Sequence, residues 1–139
     1  MRVAAVDFGL KRIGLAVSDE SRSIALPLTV VAAGRTMAQS AANVLAALSP
    51  YRLERIFVGL PLLMSGKKGE MAQAAEQFAD ALRSVAPCPV KMIDERLSSA
   101  QVERSLKEME MSRKERSGKI DAAVAALLLQ TVLEQEMHF

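Results

Sequence analysis

Acidic residues stand at three places where an apolar segment of this sequence begins or ends. Asp7 ends one segment, the pair Asp94 and Glu95 ends another, and Asp121 directly precedes the apolar stretch Ala122–Leu129. Removing a carboxylate from water is costly unless a cation offsets its charge. Hard divalent cations prefer carboxylate oxygens, and two such ions about 4 Å apart stabilise both the attacking and the leaving oxygen of a phosphodiester displacement. The three positions therefore predict a metal-dependent site that cleaves phosphodiester bonds.

The spacing of the acids leaves two points open. Alternate residues of a strand face opposite sides of a sheet, so only one of Asp94 and Glu95 is expected to face Asp7, and the pattern does not choose between them. The acids also have ordinary structural roles available. Asp121 suits the positive end of a helix dipole, and Asp94 suits an ion pair with Arg96.

Basic residues lie near the acids in the sequence and are candidates for holding phosphate groups. Lys11 and Arg12 follow Asp7 in the first turn, and the other candidates are Lys67, Lys68, Arg96 and Lys119. Contacts of this kind make nucleic-acid binding sensitive to salt. Each basic residue is equally compatible with a solvated surface position.

The elements that must position the acids are predicted from periodicity and turn residues. Segments rich in Val, Ile and Ala predict five strands, at Arg2–Asp7, Ile13–Ser18, Ile24–Ala33, Arg55–Leu60 and Val90–Asp94. Apolar residues at helical spacing predict four helices, at Thr36–Leu48, Glu70–Val85, Ser99–Met109 and Ser117–Glu136. Pro27 places the third strand at a sheet edge. Three successive strands followed by alternating helices and strands predict an α/β protein with a mixed sheet and helices on both faces.

The composition narrows the functional classes. A chain of 139 residues with 50% hydrophobic residues predicts a single domain, residues 1–139. Aromatic residues make up only 4%, which argues against base stacking as the main mode of nucleic-acid binding. The net charge of +2 excludes a strongly basic coating protein and leaves room for a local cationic groove. The single cysteine, the absence of a signal-peptide pattern and the short apolar runs predict a cytoplasmic protein with no membrane segment.

Four blocks of the sequence together resemble the signature of one family. They are VDFGLKRIGLAVSD from residue 6, VGLPLLMSGKKG from residue 58, DERLSS from residue 94 and GKIDAAVAALLLQ from residue 118. In order and spacing these blocks resemble the YqgF family, also called RuvX, whose members are small bacterial proteins with an RNase H-like fold. The resemblance extends over nearly the whole chain.

The resemblance implies a five-stranded sheet in the order 3-2-1-4-5 with strand 2 antiparallel. It also implies that Asp7, Glu95 and Asp121 are catalytic and bind Mg²⁺ or Mn²⁺, with Asp7 bridging a pair of ions, and so it selects Glu95 over Asp94. One departure is Leu63, which stands where the family usually has a polar residue. One polar contact of that loop is therefore expected to be missing.

The activity that the resemblance implies is hydrolysis of phosphodiester bonds in structured nucleic acid, leaving a 3′-hydroxyl and a 5′-phosphate. The chain has one histidine, His138, and none near the acids in the sequence, so a metal ion is expected to activate the attacking water. The leading expectation is a nuclease that processes the 5′ end of pre-16S rRNA in ribosome biogenesis.

Three other functions remain open at this point. The first is a Holliday junction resolvase acting on branched DNA, which requires two active sites and hence a homodimer where a pre-rRNA nuclease could be a monomer. The second is a non-catalytic factor in ribosome assembly or transcription. The third is nucleotide binding of the actin-like ATPase kind, which the hairpin after Asp7 resembles. Such ATPases need two facing domains, and one domain of this length does not supply them.

Overall fold

A computed structural model describes residues 1–61, 65–94 and 118–137 of the chain. Five strands form one sheet: β1 (Arg2–Asp7), β2 (Arg12–Ser18), β3 (Ala25–Ala32), β4 (Leu53–Leu60) and β5 (Val90–Asp94). Three helices accompany them within these ranges: α1 (Met37–Leu48), α2 (Glu70–Arg83) and α3 (Gly118–Met137). The predicted helix Ser99–Met109 lies outside the described residues.

The strand order of the sheet is β3-β2-β1-β4-β5. Strand β2 runs antiparallel to both β1 and β3, whereas β1, β4 and β5 run parallel to one another. The predicted order, the antiparallel second strand and the edge position of Pro27 in β3 are all confirmed. Because parallel strands end at the same edge of a sheet, the carboxyl ends of β1, β4 and β5 lie together.

The alternation of side chains along β1 divides the protein into two buried layers. Ala4 and Val6 pack into a cluster with α1 and α2, whereas Val3 and Ala5 pack into a second cluster with α3. Burial on both faces explains why β1 and β2 read as continuous apolar runs with little polar alternation. It also confirms the prediction of helices on both sides of the sheet.

Helix α3 is fixed against the sheet by apolar packing and by polar contacts along its length. Ala125 and Leu129 are fully buried in the cluster that contains Val3 and Ala5. The amide of Ala25 donates to Oε1 of Gln130 at 2.9 Å, which joins the helix to the edge strand β3. An ion pair between Arg55 and Glu136 joins its other end to β4. Within the described ranges, no helix is long and apolar enough to span a membrane.

A short turn between β2 and β3 is closed by Asp19. Its Oδ2 accepts the Ser21 hydroxyl at 2.7 Å, and its Oδ1 accepts the amides of Ser23 at 2.8 Å and Ile24 at 3.1 Å. These hydrogen bonds, that of Ser21 above all, lower the pKa of Asp19. Arg22 takes the left-handed conformation inside the turn, with φ of 58°. The turn thereby returns the chain to begin β3 at Ala25.

Candidate functional site

The hairpin of β1 and β2 holds Asp7 at one end of the sheet. Asp7 is the last residue of β1, and its partner across the antiparallel pair is Gly14 of β2. In the turn between the strands, a Cβ added to Gly9 would lie 2.4 Å from the carbonyl oxygen of Arg12. Only glycine fits such a close approach, so the turn is tight and the backbone that carries Asp7 is well defined.

Phe8 fixes the residue that follows Asp7. Its side chain is buried, and its ring stacks on Phe78 of α2 with the ring centroids 4.7 Å apart. Stacked aromatic pairs contribute about 0.5–1.5 kcal/mol beyond the burial of their surface. Asp7 is therefore held by strand pairing before it and by aromatic packing after it. The sequence patterns included both phenylalanines but did not predict this contact.

The first turn of α3 crosses directly over Gly14. A Cβ on Gly14 would lie 2.1 Å from the carbonyl oxygen of Asp121 and 3.1 Å from the amide nitrogen of Ala122. Gly14 is the antiparallel partner of Asp7, and paired residues of this kind have Cα atoms about 5 Å apart. The helix therefore brings Asp121 to the strand position beside Asp7. The structure thus brings together two of the three acids that the sequence predicted.

The carboxylate of Asp121 has one oxygen, Oδ2, that is buried and lacks a hydrogen-bond donor among the described residues. The Nε atom of Arg12 lies 3.1 Å from that oxygen, close enough for an ion pair, but its N–H is not aligned for a hydrogen bond. Buried polar atoms normally have a partner, and carboxylate oxygens are preferred ligands of Mg²⁺ and Mn²⁺. An under-satisfied carboxylate oxygen close to Asp7 therefore fits a divalent cation.

Strand β5 ends at the same edge of the sheet, and its packing shows which face Asp94 belongs to. Ile93 packs into the α3 cluster, which is the face that Asp7 shares with Val3 and Ala5. Met92 packs into the cluster of α1 and α2. By the alternation of a strand, Asp94 belongs with Met92 on the face opposite to Asp7.

Besides Arg12, three of the basic candidates have described side chains. Lys11 is exposed in the hairpin turn, and Lys67 is exposed in the segment between β4 and α2. Lys68 is exposed as well, but its Nζ lies 2.8 Å from Oε1 of Glu76 in α2. Lys68 thus already has an acidic partner.

The predicted site residues outside the described ranges are Glu95, Arg96, Leu63 and His138. Lys119 belongs to the first turn of α3. Among the described residues, no group of three His, Cys, Asp or Glu side chains is arranged to hold a metal ion. A complete site would therefore need a ligand in addition to Asp7 and Asp121.

The strand order, the two helical layers and the acids at one sheet edge define a protein of the RNase H-like class. A solved structure with this fold is T. thermophilus RuvC in complex with a Holliday junction substrate, which aligns with a TM-score of 0.60 and 20% sequence identity. The alignment covers 99% of this chain and 96% of that chain.

The chain belongs to the RuvX family, described as Holliday junction resolvase, whose sequence model matches residues 1–135. A relative from Protochlamydia amoebophila is 40% identical over 139 residues, covering 96% of this chain and 93% of the relative. A relative from Acidiphilium cryptum is 41% identical over 133 residues, covering 96% of this chain and 84% of the relative. Both carry the description "Putative pre-16S rRNA nuclease". The resemblance read from the four sequence blocks is confirmed.

Proposed function

We propose that this protein is a divalent-metal-dependent nuclease that processes the 5′ end of pre-16S rRNA. The observation that carries the proposal is the meeting of Asp7 and Asp121 across Gly14, where a buried carboxylate oxygen lacks a hydrogen-bond donor among the described residues. The descriptions of the relatives supply the substrate. With that substrate, the protein would act in the cytoplasm, where ribosomes are assembled.

The proposed metal ligands are Asp7, Asp121 and Glu95. Glu95 is chosen over Asp94 by the family resemblance. The position of Asp94 on the face opposite to Asp7 supports that choice. Bound Mg²⁺ or Mn²⁺ ions, as a pair, would lower the pKa of the attacking water and stabilise charge on the leaving oxygen.

The residues of the chain would position the metal ligands and bind the phosphates of the substrate. The hairpin and the stacked Phe8 keep the Asp7 carboxylate in one position, and α3 brings the Asp121 carboxylate to it. Exposed Lys11 and Lys67 would hold phosphates of the substrate. Water would attack phosphorus and the bond to the 3′ oxygen would break, leaving a 3′-hydroxyl and a 5′-phosphate.

Resolution of four-way DNA junctions is the second candidate function. The description of the family favours this function. The arrangement of the described acids does not distinguish an RNA substrate from a DNA substrate. A resolvase must cut two strands, so this function predicts a homodimer with two sites. Sedimentation of the protein with and without a DNA junction measures that requirement directly.

The test of function compares two substrates under the same conditions. Purified protein is incubated with an RNA that contains the 5′ leader of pre-16S rRNA and with a four-way DNA junction, each with Mn²⁺, Mg²⁺ or EDTA. We expect metal-dependent cleavage of the RNA and little cleavage of the junction. Preferential cutting of the junction would favour the resolvase. If both substrates stay intact with either metal, the nuclease proposal fails and a non-catalytic role in ribosome assembly or transcription takes its place.

A further inference from the structure

The guanidinium group of Arg12 approaches the same Asp121 oxygen that is proposed to bind a metal ion. Arg12 Nε lies 3.1 Å from Asp121 Oδ2, and the Asp121 side chain is 21% exposed against 48% for Arg12. We propose that Arg12 is an exchangeable counter-ion of Asp121, which a divalent cation displaces when it binds. Arg12 would then set the metal affinity of the site. This inference rests on the proposed metal centre.

The contact between Arg12 and Asp121 is an ion pair without an aligned hydrogen bond. Strong arginine–carboxylate pairs use two parallel, well-aligned hydrogen bonds. Here a single nitrogen lies within ion-pair distance of Oδ2, and it does not donate a hydrogen bond to that oxygen. A largely buried carboxylate is nevertheless costly without a nearby positive charge. Arg12 therefore supplies charge to Asp121 without occupying the oxygen in a strong hydrogen bond.

The position of Arg12 in the fold permits the exchange. Arg12 is the first residue of β2, and its backbone is held by pairing with Ala32 of β3. Its side chain is half exposed, so it can turn toward solvent while the strand stays in place. A phosphate bound near the hairpin would offer the released guanidinium a new partner.

The Arg12 guanidinium and a divalent ion bound at the same Asp121 oxygen would be a few ångström apart, and their positive charges repel each other. Arg12 and a divalent ion at Asp121 should therefore oppose each other's binding, and by linkage the effect is reciprocal. Any group that draws Arg12 away from Asp121 would tighten metal binding. The role of Arg12 would then combine the phosphate contact predicted from sequence with control of the metal site.

The test measures Mn²⁺ binding by calorimetry without nucleic acid, using wild type, Arg12→Gln and Lys11→Gln. Lys11 is the adjacent exposed cation in the same turn and controls for a general loss of positive charge. We expect Arg12→Gln to lower the Mn²⁺ dissociation constant by about three- to thirtyfold, since a repelling charge and a competitor are both removed. Lys11→Gln should change it by less than about twofold, because it is the Arg12 guanidinium that lies at ion-pair distance from Asp121 Oδ2.

Thermal unfolding gives a second measurement on the same variants. Without metal, Arg12→Gln should melt below wild type, because the Asp121 charge loses its neighbour. Saturating Mn²⁺ should remove that difference. An unchanged or weaker Mn²⁺ affinity in Arg12→Gln, or equal tightening in Lys11→Gln, would overturn the role of Arg12. If wild type binds no Mn²⁺, or Asp7→Asn binds it equally well, the proposed metal centre itself fails and the inference falls with it.

Discussion

Lys67 and Lys68 are neighbours in the sequence but differ in their surroundings. Lys68 forms an ion pair with Glu76 of α2, at 2.8 Å, whereas Lys67 is exposed in the same segment. A lysine that binds a phosphate releases condensed counterions, and this release makes affinity depend on salt. A lysine that must first give up a carboxylate partner gains less from the same contact.

We predict that Lys67→Gln weakens nucleic-acid binding more than Lys68→Gln does. The slope of log affinity against log salt should fall in magnitude by about 0.7–0.9 for Lys67→Gln, as expected for the loss of one phosphate contact. The matched Lys68→Gln variant should change the slope by less. Filter binding of the leader RNA across a salt series measures both slopes. Equal slopes for wild type and Lys67→Gln would remove Lys67 from the proposed interface.

Some of the candidate site residues could be predicted from the sequence, but their contacts could not. Asp7 and Asp121 were predictable because charged residues at the ends of apolar segments are unusual and few. The contact between Arg12 and Asp121 was not predictable, since the two residues are far apart in the sequence and meet only when α3 packs on β2. The choice of Glu95 over Asp94 stays a prediction of the family resemblance. The face of Asp94 follows from the packing of Met92 and Ile93 into different clusters, which a strand pattern alone does not give.

At the level of elements, the site depends on how closely α3 approaches the hairpin. The absence of a side chain at Gly14 provides clearance on that face of β2. The structure shows that the backbone of α3 uses that clearance, at the carbonyl of Asp121. The apolar pattern of α3 predicted the helix but not which of its turns would lie over Gly14. A helix that is apolar nearly all round has no single packing stripe.

We predict that Gly14→Ala displaces the first turn of α3. Its Cβ would lie 2.1 Å from the Asp121 carbonyl oxygen, so the helix must shift. Overpacking of this kind destabilises a protein by about 1–3 kcal/mol, which urea unfolding measures. The Mn²⁺ affinity should fall as well, because Asp121 moves relative to Asp7.

The buried Ala16, two residues along β2, offers a matched control for that prediction. Ala16→Gly removes a buried methyl group from the α3 side of the sheet and leaves the clearance at Gly14 intact. It should reduce stability while keeping the Mn²⁺ affinity close to that of wild type. Equal losses of affinity in Ala16→Gly and Gly14→Ala would mean that lower stability, and not the position of Asp121, causes the effect.

At the level of the whole molecule, the fold was largely predictable and the site only partly so. Runs of buried strand residues, the early pair of antiparallel connections and the later helical crossovers specified a mixed five-stranded sheet, and the family signature supplied its order. Strand ends differed by a residue or two, as at Leu53, because pairing with β1 extends β4 beyond its apolar core. The assignment of residues 1–139 to one domain remains a prediction.

The proposed metal centre and the segments that would contact the substrate, RNA or DNA, are different parts of the fold. The carboxyl ends of β1 and β5 and the first turn of α3 form the proposed centre, and the connecting segments beside them would contact nucleic acid. Fold similarity to RuvC therefore establishes the framework and leaves the substrate to those segments. Substitutions of the acids therefore test whether the protein cleaves phosphodiester bonds, and they do not test which nucleic acid it prefers.

The most direct test of the central claim is the single-turnover rate of cleavage of the leader RNA by wild type and Asp7→Asn with saturating Mn²⁺. Loss of a residue that only supports a metal ligand typically costs 10- to 100-fold, so loss of a ligand itself should lower the rate by more than about a hundredfold. Asp94→Asn, on the opposite face of the sheet, is the matched control and should cleave within about threefold of wild type. Cleavage by Asp7→Asn at the wild-type rate, with both variants folded, would contradict the account.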